Sequence, residues 1–455
     1  MQYYGGYGIL FAVMNLPIDY INRMKEDLGE NFEKFIDTYD ERAYKGLRVN
    51  TLKNSVERFF EVNPWNIGVK DGIAWCPEGF YFEEKDSDAV LPQGKHPYHA
   101  AGVYYIQEPS AMSAVMQLQV KPGDFVLDLC ASPGGKSTQI ASLLKNEGIL
   151  VCNEPYAQRA KILSENIERM GIANALVISH EPQELSDRFE ESFNKVLVDA
   201  PCSGEGMFRK NPEAVDEWSL DNVCLCAKRQ KEILTQAYRM LSPGGRLVYS
   251  TCTFSKSENE ENAHWFEDTF EDIRLIQMKR IWPHEECAEG HFVAVFEKDG
   301  EETHGFAQKI RSEKLKTLQD AALFEEENLN TDYFKRVGED ICMVRFGDEL
   351  YAVPSYFPAV EKLRVLRLGL HLGTLKKNRF EPSLSLALAL SPEDSKKSVS
   401  VNYEEALAYL RGQTLVKDAP KGWVLLDIDG YTLSFGKAGD GVIKNHYPKG
   451  LRING

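Results

Sequence analysis

Two cysteines stand directly after apolar runs that are typical of buried strands. Cys202 follows "KVLVDAP", and Cys252 follows "RLVYST". Asp199 precedes Cys202 by three residues, so a carboxylate accompanies the first thiol. A buried cysteine is most often a small apolar residue, but two thiols on neighbouring loops beside a carboxylate have the residue types of covalent catalysis. The pattern therefore indicates a nucleophile and an assisting group at the end of a sheet.

A glycine-containing turn follows an earlier apolar run, in the stretch "VLDLCASPGGKS" (126–137). Gly134 and Gly135 allow a ligand to approach the backbone closely, and the helix that starts there exposes free N–H groups. The spacing matches neither the dinucleotide fingerprint nor the phosphate-binding loop, so a diphosphate is not the expected ligand. Glu154 ends the next apolar run, where an acid commonly accepts hydrogen bonds from ribose hydroxyls. Together these features predict a site for an adenosine-bearing cofactor.

One reaction needs all of these groups at a single site. Carbon 5 of cytosine is too weak a nucleophile to take a methyl group unaided. A thiolate that adds to carbon 6 turns the ring into an enamine, whose carbon 5 then attacks a sulfonium methyl group. An acid near ring N3 stabilises the adduct, and a second group aids loss of the carbon 5 proton, so that β-elimination frees the enzyme. Cys252, Asp199 and Cys202 supply the residue types for these tasks.

Six stretches of the chain carry a resemblance to a known family. They are "GLRVNTLK", "AGVYYIQEPSAM", "DLCASPGGKS", "VDAPCSGEGMF", "YSTCTFS" and "KNHYPKGLR". They resemble the Nol/Nop/Sun family of RNA cytosine-C5 methyltransferases, and more closely its RsmF-type 16S rRNA branch, over essentially the whole chain from Met14. The resemblance implies that Cys252 is the nucleophile and that Cys202 assists product release. In DNA cytosine methyltransferases the cysteine of Pro-Cys attacks instead, so Pro201-Cys202 alone would point to the opposite assignment.

The same resemblance implies an α/β fold and a cofactor. The fold is a class I, Rossmann-like methyltransferase core with an α/β N-terminal RNA-binding domain and a C-terminal β-rich PUA-like domain. The cofactor is S-adenosylmethionine, and the resemblance implies that it is held by Cys130, Ala131, Ser132, Pro133, Gly134, Gly135, Lys136, Glu154 and Asp199. The chain departs from the family at Ser132, where many members have Ala, and at Ser179-His180, where many have an aspartate that contacts adenine. Arg159 is expected either near the cofactor or on a solvated helix face.

The elements that must position these residues form a repeating pattern. Short apolar runs alternate with helical stretches, and the predicted strands are 125–129, 149–153, 175–179, 195–200 and 246–250, with helices over 156–170 and 222–241. This alternation predicts a parallel sheet covered on both faces, with ligands bound beyond the carboxyl ends of its strands. The glycine turn and both cysteine loops should therefore meet at one edge of the sheet.

The pattern also predicts how the chain is divided. We expect a tail over 1–13 with a natural start at Met14, an N-terminal RNA-binding domain over 14–105, a methyltransferase domain over 106–300, a charged linker or insertion over 301–335, and a C-terminal RNA-binding region over 336–455. Within these parts, the alternating "GLRVNTL" (46–52) predicts a strand. Asp429-Gly430 between two apolar runs predicts a hairpin.

Composition limits the class of protein and its partners. The net charge of −16 argues against a protein that coats nucleic acid through bulk charge, although 362–379 and the segment from Lys444 are locally basic. The nine cysteines are odd in number and show no disulfide framework, and Cys224-x-Cys226 lacks the second pair of a zinc site, so we expect a reduced cytoplasmic protein without metal. No stretch has the length of a membrane span. The simplest expectation for oligomeric state is a monomer.

The expected partner is 16S rRNA or the small ribosomal subunit. Phe208, Arg209 and Lys210 are candidates for contact with substrate, and His446 and Tyr447 for base stacking beside cations. Two alternatives stay open. One is a ribosome-assembly factor that binds RNA without catalysis, which the presence of all three catalytic residue types disfavours. The other is the same chemistry on tRNA or 23S rRNA.

Overall fold

A computed structural model of the chain describes residues 16–83 and 91–453. The predicted tail over 1–13 and Met14 lie outside the described residues. The N-terminal elements are α1 (Ile18–Leu28), α2 (Phe32–Asp37), β1 (Gly46–Val49), α3 (Val56–Val62), β2 (Gly72–Ile73), β3 (Cys76–Tyr81), α4 (Pro97–Ala100) and β4 (Tyr104–Gln107). The strands form a sheet in the order β2-β3-β1-β4, so the strand predicted within 46–52 is confirmed.

The central elements alternate as the sequence pattern predicts. They are α5 (Ser113–Leu118), β5 (Phe125–Asp128), α6 (Gly135–Leu144), β6 (Ile149–Asn153), α7 (Ala157–Arg169), β7 (Ala175–Ile178), α8 (Pro182–Ser186), β8 (Phe193–Asp199), α9 (Pro212–Glu217), α10 (Leu220–Met240), β9 (Leu241–Thr251), α11 (Glu260–Thr269), β10 (Ile273–Ile281) and β11 (His291–Lys298). All residues of β5, β6 and β7 are buried, which explains their continuous apolar runs.

Five of these strands run parallel. The order across the sheet is β10-β11-β9-β8-β5-β6-β7, with β5 to β9 parallel and β10 and β11 antiparallel. The strand order reverses between β5 and β8, and ligands of such sheets bind beyond the carboxyl ends of the strands at this point. The Rossmann-like core is therefore confirmed, and its crevice lies between the loops that carry the candidate residues.

The C-terminal elements form two further sheets. They are α12 (Gln319–Asn328), β12 (Ile341–Phe346), β13 (Glu349–Pro354), β14 (Val365–Leu368), β15 (Leu370–Lys376), β16 (Arg379–Pro382), α13 (Leu384–Ala389), β17 (Ser398–Ser400), α14 (Tyr403–Leu410), β18 (Leu415–Val416), β19 (Gly422–Ile428), β20 (Tyr431–Gly439) and β21 (Val442–Asn445). The sheet orders are β12-β13-β15-β16 and β17-β19-β20-β21-β18. The predicted hairpin joins β19 to β20, and Asp429 and Gly430 have the positive φ values, 52° and 85°, that its turn requires.

Two charged stretches contain secondary structure. The stretch over 301–335, predicted as a linker or insertion, contains α12, around which Leu318, Ala321 and Phe324 are buried. The basic run over 362–379 contains β14, which pairs antiparallel with β7 as an eighth strand of the central sheet. Both stretches are rich in charged residues, and the few apolar residues among them form the packing contacts that determine their secondary structure.

Some residues of the two basic segments are bound within the protein, although most of their cations, such as Lys362, Lys376 and Lys444, are exposed. Arg367, in the first segment, forms an ion pair of 2.5 Å with Glu168 and its side chain is 9% exposed. Tyr447, in the second segment, is buried in an apolar cluster and is not free to stack on bases, and His446 packs edge-on against Trp423. These residues join the C-terminal region to the rest of the protein or stabilise its own core. No helix among the described residues has both the length and the apolar character of a membrane span.

Candidate active site

A cleft of about 700 Å³ opens at the carboxyl ends of the parallel strands. It is lined by residues from the loops after β5, β6, β7, β8 and β9 and from one face of α10: Cys130, Ser132, Glu154, Pro155, Tyr156, Arg159, Glu181, Pro182, Gln183, Asp199, Ala200, Pro201, Cys202, Arg229, Glu232, Ile233, Thr235, Gln236 and Cys252. The topology therefore brings both candidate cysteines and the candidate cofactor residues to one cavity.

The two cysteines lie side by side in this cleft. Their Sγ atoms are 3.3 Å apart, and both thiols are free and partly buried. The contact with Cys252, together with burial, raises the pKa of Cys202 well above its ordinary value. Cys202 therefore keeps its proton at neutral pH, and either thiol can donate the hydrogen bond between the two sulfurs. Two sulfurs this close can act on the same small group.

The loop after Cys202 is bound to the loop after Cys252 by a buried glutamate. The carboxylate of Glu205 accepts a hydrogen bond of 3.0 Å from the backbone N–H of Phe254 and one of 2.8 Å from the Trp218 indole. It also forms an ion pair of 2.6 Å with Arg23 of α1. The sequence analysis missed Glu205, although an acid between two glycines in "GEG", which starts two residues after Cys202, is a visible signal. The N-terminal helices thus support the cysteine loops.

Asp199 ends β8 and carries three polar neighbours. Its Oδ2 lies 2.7 Å from the Lys136 ammonium, and its Oδ1 accepts a hydrogen bond of 2.8 Å from the Ser250 hydroxyl. The ring of His291 lies 3.7 Å from Oδ1. Burial alone would raise the pKa of Asp199, but Lys136 and the other neighbours hold it below its ordinary value. Asp199 is therefore an ionised carboxylate that can accept hydrogen bonds.

The glycine turn packs tightly against the N-terminal sheet. Gly134 has a φ of 111°, which disfavours other residues, and α6 begins at Gly135. A Cβ on Gly135 would lie 3.2 Å from the side chains of Gln107 and Tyr105, the former at the end of β4. Of the seven residues predicted over 130–136, Cys130 and Ser132 line the cleft, and Lys136 reaches it through Asp199. The buried Ala131, Gly134 and Gly135 and the exposed Pro133 shape the turn.

Glu154 lies at the end of β6 with its side chain 3% exposed. Its Oε1 accepts a hydrogen bond of 3.0 Å from the backbone N–H of Tyr156, and its Oε2 lies 3.4 Å from Arg159. Arg159 lines the same cleft and is half exposed, so it is close to the predicted cofactor site. The carboxylate keeps acceptor capacity for hydroxyl groups in the cleft.

The loop after β7 presents different residues from those expected. The Ser179 hydroxyl donates to the Pro155 carbonyl, and His180 accepts from the Arg364 backbone N–H and binds Glu184. Neither residue lines the cleft, whereas Glu181, Pro182 and Gln183 do. The Arg364 N–H lies directly before strand β14, whose pairing with β7 could not be read from the local sequence. His180 thereby links the loop after β7 to Arg364, the residue before β14.

The three substrate candidates after "GEGM" do not line the cleft. Phe208 is buried, with its ring centroid 5.1 Å from that of Tyr20 in α1. Arg209 pairs with Glu289 at 2.7 Å, and Lys210 donates to the Tyr44 carbonyl at 2.9 Å. Each of these side chains is bound to the N-terminal region or to a neighbouring loop, so none of them faces the cleft, and a contact with RNA outside the cleft stays a prediction. Their role in this structure is to hold the N-terminal segment against the core.

Comparison with family models covers nearly all of the described chain. The model for 16S rRNA methyltransferase RsmB/F matches residues 115–297, and the model for the N-terminal domain of 16S rRNA methyltransferase RsmF matches 16–109. The models for the first C-terminal domain and the PUA domain of RsmF match 324–390 and 396–453. Curated relatives agree: ribosomal RNA small subunit methyltransferase F of Vibrio campbellii is 34% identical over 92% of this chain and 94% of its own length. The chain belongs to the RsmB/F methyltransferase family.

Other members and solved structures support this assignment. The RsmF protein of Vibrio vulnificus is 32% identical over 96% of this chain and 97% of its own length. A methyltransferase homologue from Pyrococcus horikoshii is 27% identical, covers 64% of this chain and 99% of its own, and has a TM-score of 0.56. NSun6 from the same organism shares the fold, at 22% identity over 63% of this chain and 99% of its own and a TM-score of 0.55.

S-adenosylmethionine is the methyl donor of this RsmB/F methyltransferase, as predicted. The cleft fits this group because Glu154 offers a buried acceptor for ribose hydroxyls and Asp199 an ionised one. Asp128, at the end of β5, adds a further group. Its side chain is fully buried, its Oδ2 accepts a hydrogen bond from Ser137, and its Oδ1 has no partner. An unpartnered buried carboxylate oxygen at the head of the cofactor loop favours a ligand that brings donors.

Proposed function

We propose that this chain methylates carbon 5 of cytosine in 16S rRNA through a covalent bond between Cys252 and carbon 6. The observation that carries the proposal is the 3.3 Å contact of the Cys252 and Cys202 sulfurs in the cleft that contains Asp199 and Glu154. Methylation that used no covalent adduct would need neither thiol there. The choice of 16S rRNA is supported by the curated relatives, which are named for the RNA of the small ribosomal subunit.

Cys252 is the residue that attacks. The resemblance assigns the attack to Cys252, and the proton that Cys202 keeps can be donated to the neighbouring sulfur. The Cys252 sulfur adds to carbon 6, and the electron pair of the 5,6 double bond moves towards ring N3. Solvent supplies a proton to N3, and the resulting N–H donates to the ionised Asp199. The Lys136 ammonium holds that carboxylate in place and balances its charge.

Cys202 then acts at product release. The sulfonium of the bound cofactor supplies the methyl group to carbon 5. Solvent water takes the carbon 5 proton, the electron pair of that C–H bond re-forms the 5,6 double bond, and the bond between carbon 6 and sulfur breaks. The proton on N3 returns to solvent. Cys252 departs as a thiolate, and the Cys202 thiol donates a hydrogen bond to it as it leaves. Glu154 and the turn over 130–136 would hold the cofactor during these steps.

The experiment is methyl transfer from tritiated S-adenosylmethionine to four RNA substrates. They are 16S rRNA, assembled small subunits, 23S rRNA and tRNA, each digested afterwards to nucleosides. We expect label in 5-methylcytosine from 16S rRNA or the small subunit. Comparing the label in these two substrates shows whether the enzyme acts on naked RNA or on the assembled subunit. Label in tRNA or 23S rRNA instead would contradict the proposed substrate. Absence of label from all four would favour a non-catalytic RNA-binding assembly factor.

A further inference from the structure

Glu258 is a buried carboxylate at which the two cysteine loops meet. It lies beyond Cys252 in the chain, and its side chain has no exposed surface. Its Oε2 accepts hydrogen bonds of 2.9 Å from the Ser203 backbone N–H and 2.9 Å from the Gln230 amide. Its Oε1 accepts from the Ser203 hydroxyl at 2.5 Å and from the Thr253 hydroxyl at 3.3 Å. Four donors therefore converge on one carboxylate.

The donors belong to residues adjacent to the thiols. Ser203 follows Cys202 directly, and Thr253 follows Cys252 directly. The Ser203 and Thr253 hydroxyl oxygens also lie 2.8 Å from each other, so either hydroxyl can turn its one proton from Glu258 to the other, and the three groups form a ring of contacts across the two loops. A movement of either loop would break hydrogen bonds to a charge that cannot reach water, and that loss is costly. The ring thus fixes the distance between the residues that carry the sulfurs.

The surroundings of Glu258 leave it no other evident role. It does not line the cleft, so it is not placed to touch cofactor or substrate. Its remaining contacts are within the protein, through Gln230 of α10, which also donates to the Pro201 carbonyl at 3.0 Å. Pro201 precedes Cys202, so the carboxylate and Gln230 together hold the Cys202 loop on both sides of the thiol.

We propose that Glu258 is a positioning residue that fixes Cys202 and Cys252 at the separation at which one thiol can act on the adduct formed by the other. This inference rests on the proposed function for the roles of the two thiols. Misplacement of reacting groups by about 1 Å can lower a rate about 10²-fold, so a carboxylate that never touches the substrate can control catalysis.

The first test measures thiol pairing and needs no methyl transfer. Diamide takes two hydrogens and two electrons from Cys202 and Cys252 and leaves a disulfide, whose formation is followed by mass spectrometry of the linked peptides. In Glu258→Gln an NH₂ group replaces one acceptor oxygen and faces N–H donors. We expect the Cys202–Cys252 disulfide to form at least about tenfold more slowly in this variant than in the wild type. An unchanged rate would overturn the inference.

Glu325→Gln is the matched control. Glu325 is also buried, and its carboxylate accepts hydrogen bonds from the Thr331 hydroxyl and from the Tyr333 and Phe334 backbone N–H groups, in the C-terminal region. We expect the wild-type rate of disulfide formation in this variant, even if its thermal unfolding temperature falls as far as that of Glu258→Gln. Equal slowing in both variants would assign the effect to general destabilisation and overturn the inference.

A second variant covers the case in which Glu258→Gln does not fold. Thr253→Val keeps the side-chain shape and removes one hydroxyl from the ring, and we expect disulfide formation to slow about threefold, as for loss of one hydrogen bond. Disulfide formation at the wild-type rate in this variant would then count against the inference.

The kinetic readout separates this inference from the proposed function. In Glu258→Gln we expect kcat for methyl transfer to fall about 10- to 100-fold while the KM for S-adenosylmethionine changes less than about twofold. A fall confined to KM would contradict a positioning role. If the wild type itself forms no 5-methylcytosine while the disulfide assay still distinguishes the variants, the proposed function fails and the positioning of the thiols stands.

Discussion

On the cofactor side of the cleft each acidic side chain pairs with a cation and accepts one further hydrogen bond, whereas on the cysteine side the acidic side chains mainly accept from donors of the surrounding loops and helices. Asp199 and Glu154 lie 2.7 Å from Lys136 and 3.4 Å from Arg159. Glu205 and Glu258 instead bind groups fixed to the two cysteine loops, although Glu205 also pairs with Arg23. Long cationic side chains can move when a ligand arrives, but a backbone N–H cannot. The half-exposed Arg159 can adapt to a bound cofactor, whereas the donors around the buried Glu205 and Glu258 hold the two cysteine loops in place.

The largest expected effect on activity is at the two cysteines of the cleft. Cys252→Ala should abolish both the protein–RNA adduct and turnover, because the bond to carbon 6 is assigned to the Cys252 sulfur and the neighbouring Cys202 to a different step. Cys202→Ala should let the adduct form but slow its release, with turnover about 10²-fold lower. A denaturing gel with labelled RNA measures the slowly migrating adduct. Cys224→Ala, which removes an exposed cysteine of α10, should behave as wild type. Exchanged phenotypes of the two cleft variants would reverse their assigned roles.

The next largest effect is expected for the buried ion pair between Lys136 and Asp199. In Lys136→Met, burial would dominate and the pKa of Asp199 would rise. Activity needs the ionised carboxylate. As the pH is lowered, the variant should therefore lose activity at a higher pH than the wild type does. We expect kcat/KM at pH 7 to fall about 10²-fold, as for breaking a buried ion pair of about 3 kcal/mol. The measurement is a pH–rate profile, with exposed Lys145→Met as control. An unshifted acidic limb would show that Lys136 does not set the charge of Asp199.

A smaller effect is expected at the ribose acceptor. Glu154→Gln replaces a charged acceptor by a neutral one, and we expect the KM for S-adenosylmethionine to rise about tenfold with little change in kcat. Arg159→Ala should raise it no more than about threefold, since its ion pair with Glu154 is partly exposed. Steady-state kinetics at saturating RNA measure both. An equal rise in KM in both variants would show that Glu154 and Arg159 contribute equally to cofactor binding. That result would contradict the assignment of Glu154 as the main acceptor.

The smallest effect is on stability. Burial raises the pKa of Asp128 to about 7 in the protein without cofactor. A carboxyl whose folded-state pKa is raised contributes stability that is complete below its unfolded pKa and is lost as the pH rises through about 7. The thermal unfolding temperature of the wild type should therefore fall by a few degrees more than that of Asp128→Asn between pH 5 and pH 8. Parallel curves would place the ionisation of Asp128 outside this range.

Several features of the fold follow from local sequence. Strands β5 to β7 are buried on both faces, so their apolar runs are continuous and predict a parallel sheet. A parallel sheet then places the ends of β8 and β9, and hence Cys202 and Cys252, at one edge. The turn at Asp429-Gly430 is likewise encoded in two neighbouring residues.

Other features depend on partners distant in the chain. The aromatic ring of Phe208 and the phenol of Tyr447 have the composition of an RNA-binding surface, yet both are buried against elements that their own sequence does not identify. The basic run that contains Arg367 becomes an edge strand because Val365 and Leu368 pair with β7. The charge and aromatic content of a segment do not predict which of its faces will be buried against the rest of the protein.

What the sequence by itself determined is the order of strands and turns, the edge where the thiols meet, and the resemblance that names their roles. Only the tertiary structure decided that Glu258 joins the Cys202 and Cys252 loops and that Lys136 balances Asp199. The physical reason is that backbone periodicity is local, whereas a buried charge is stabilised by whichever donors the completed fold brings to it.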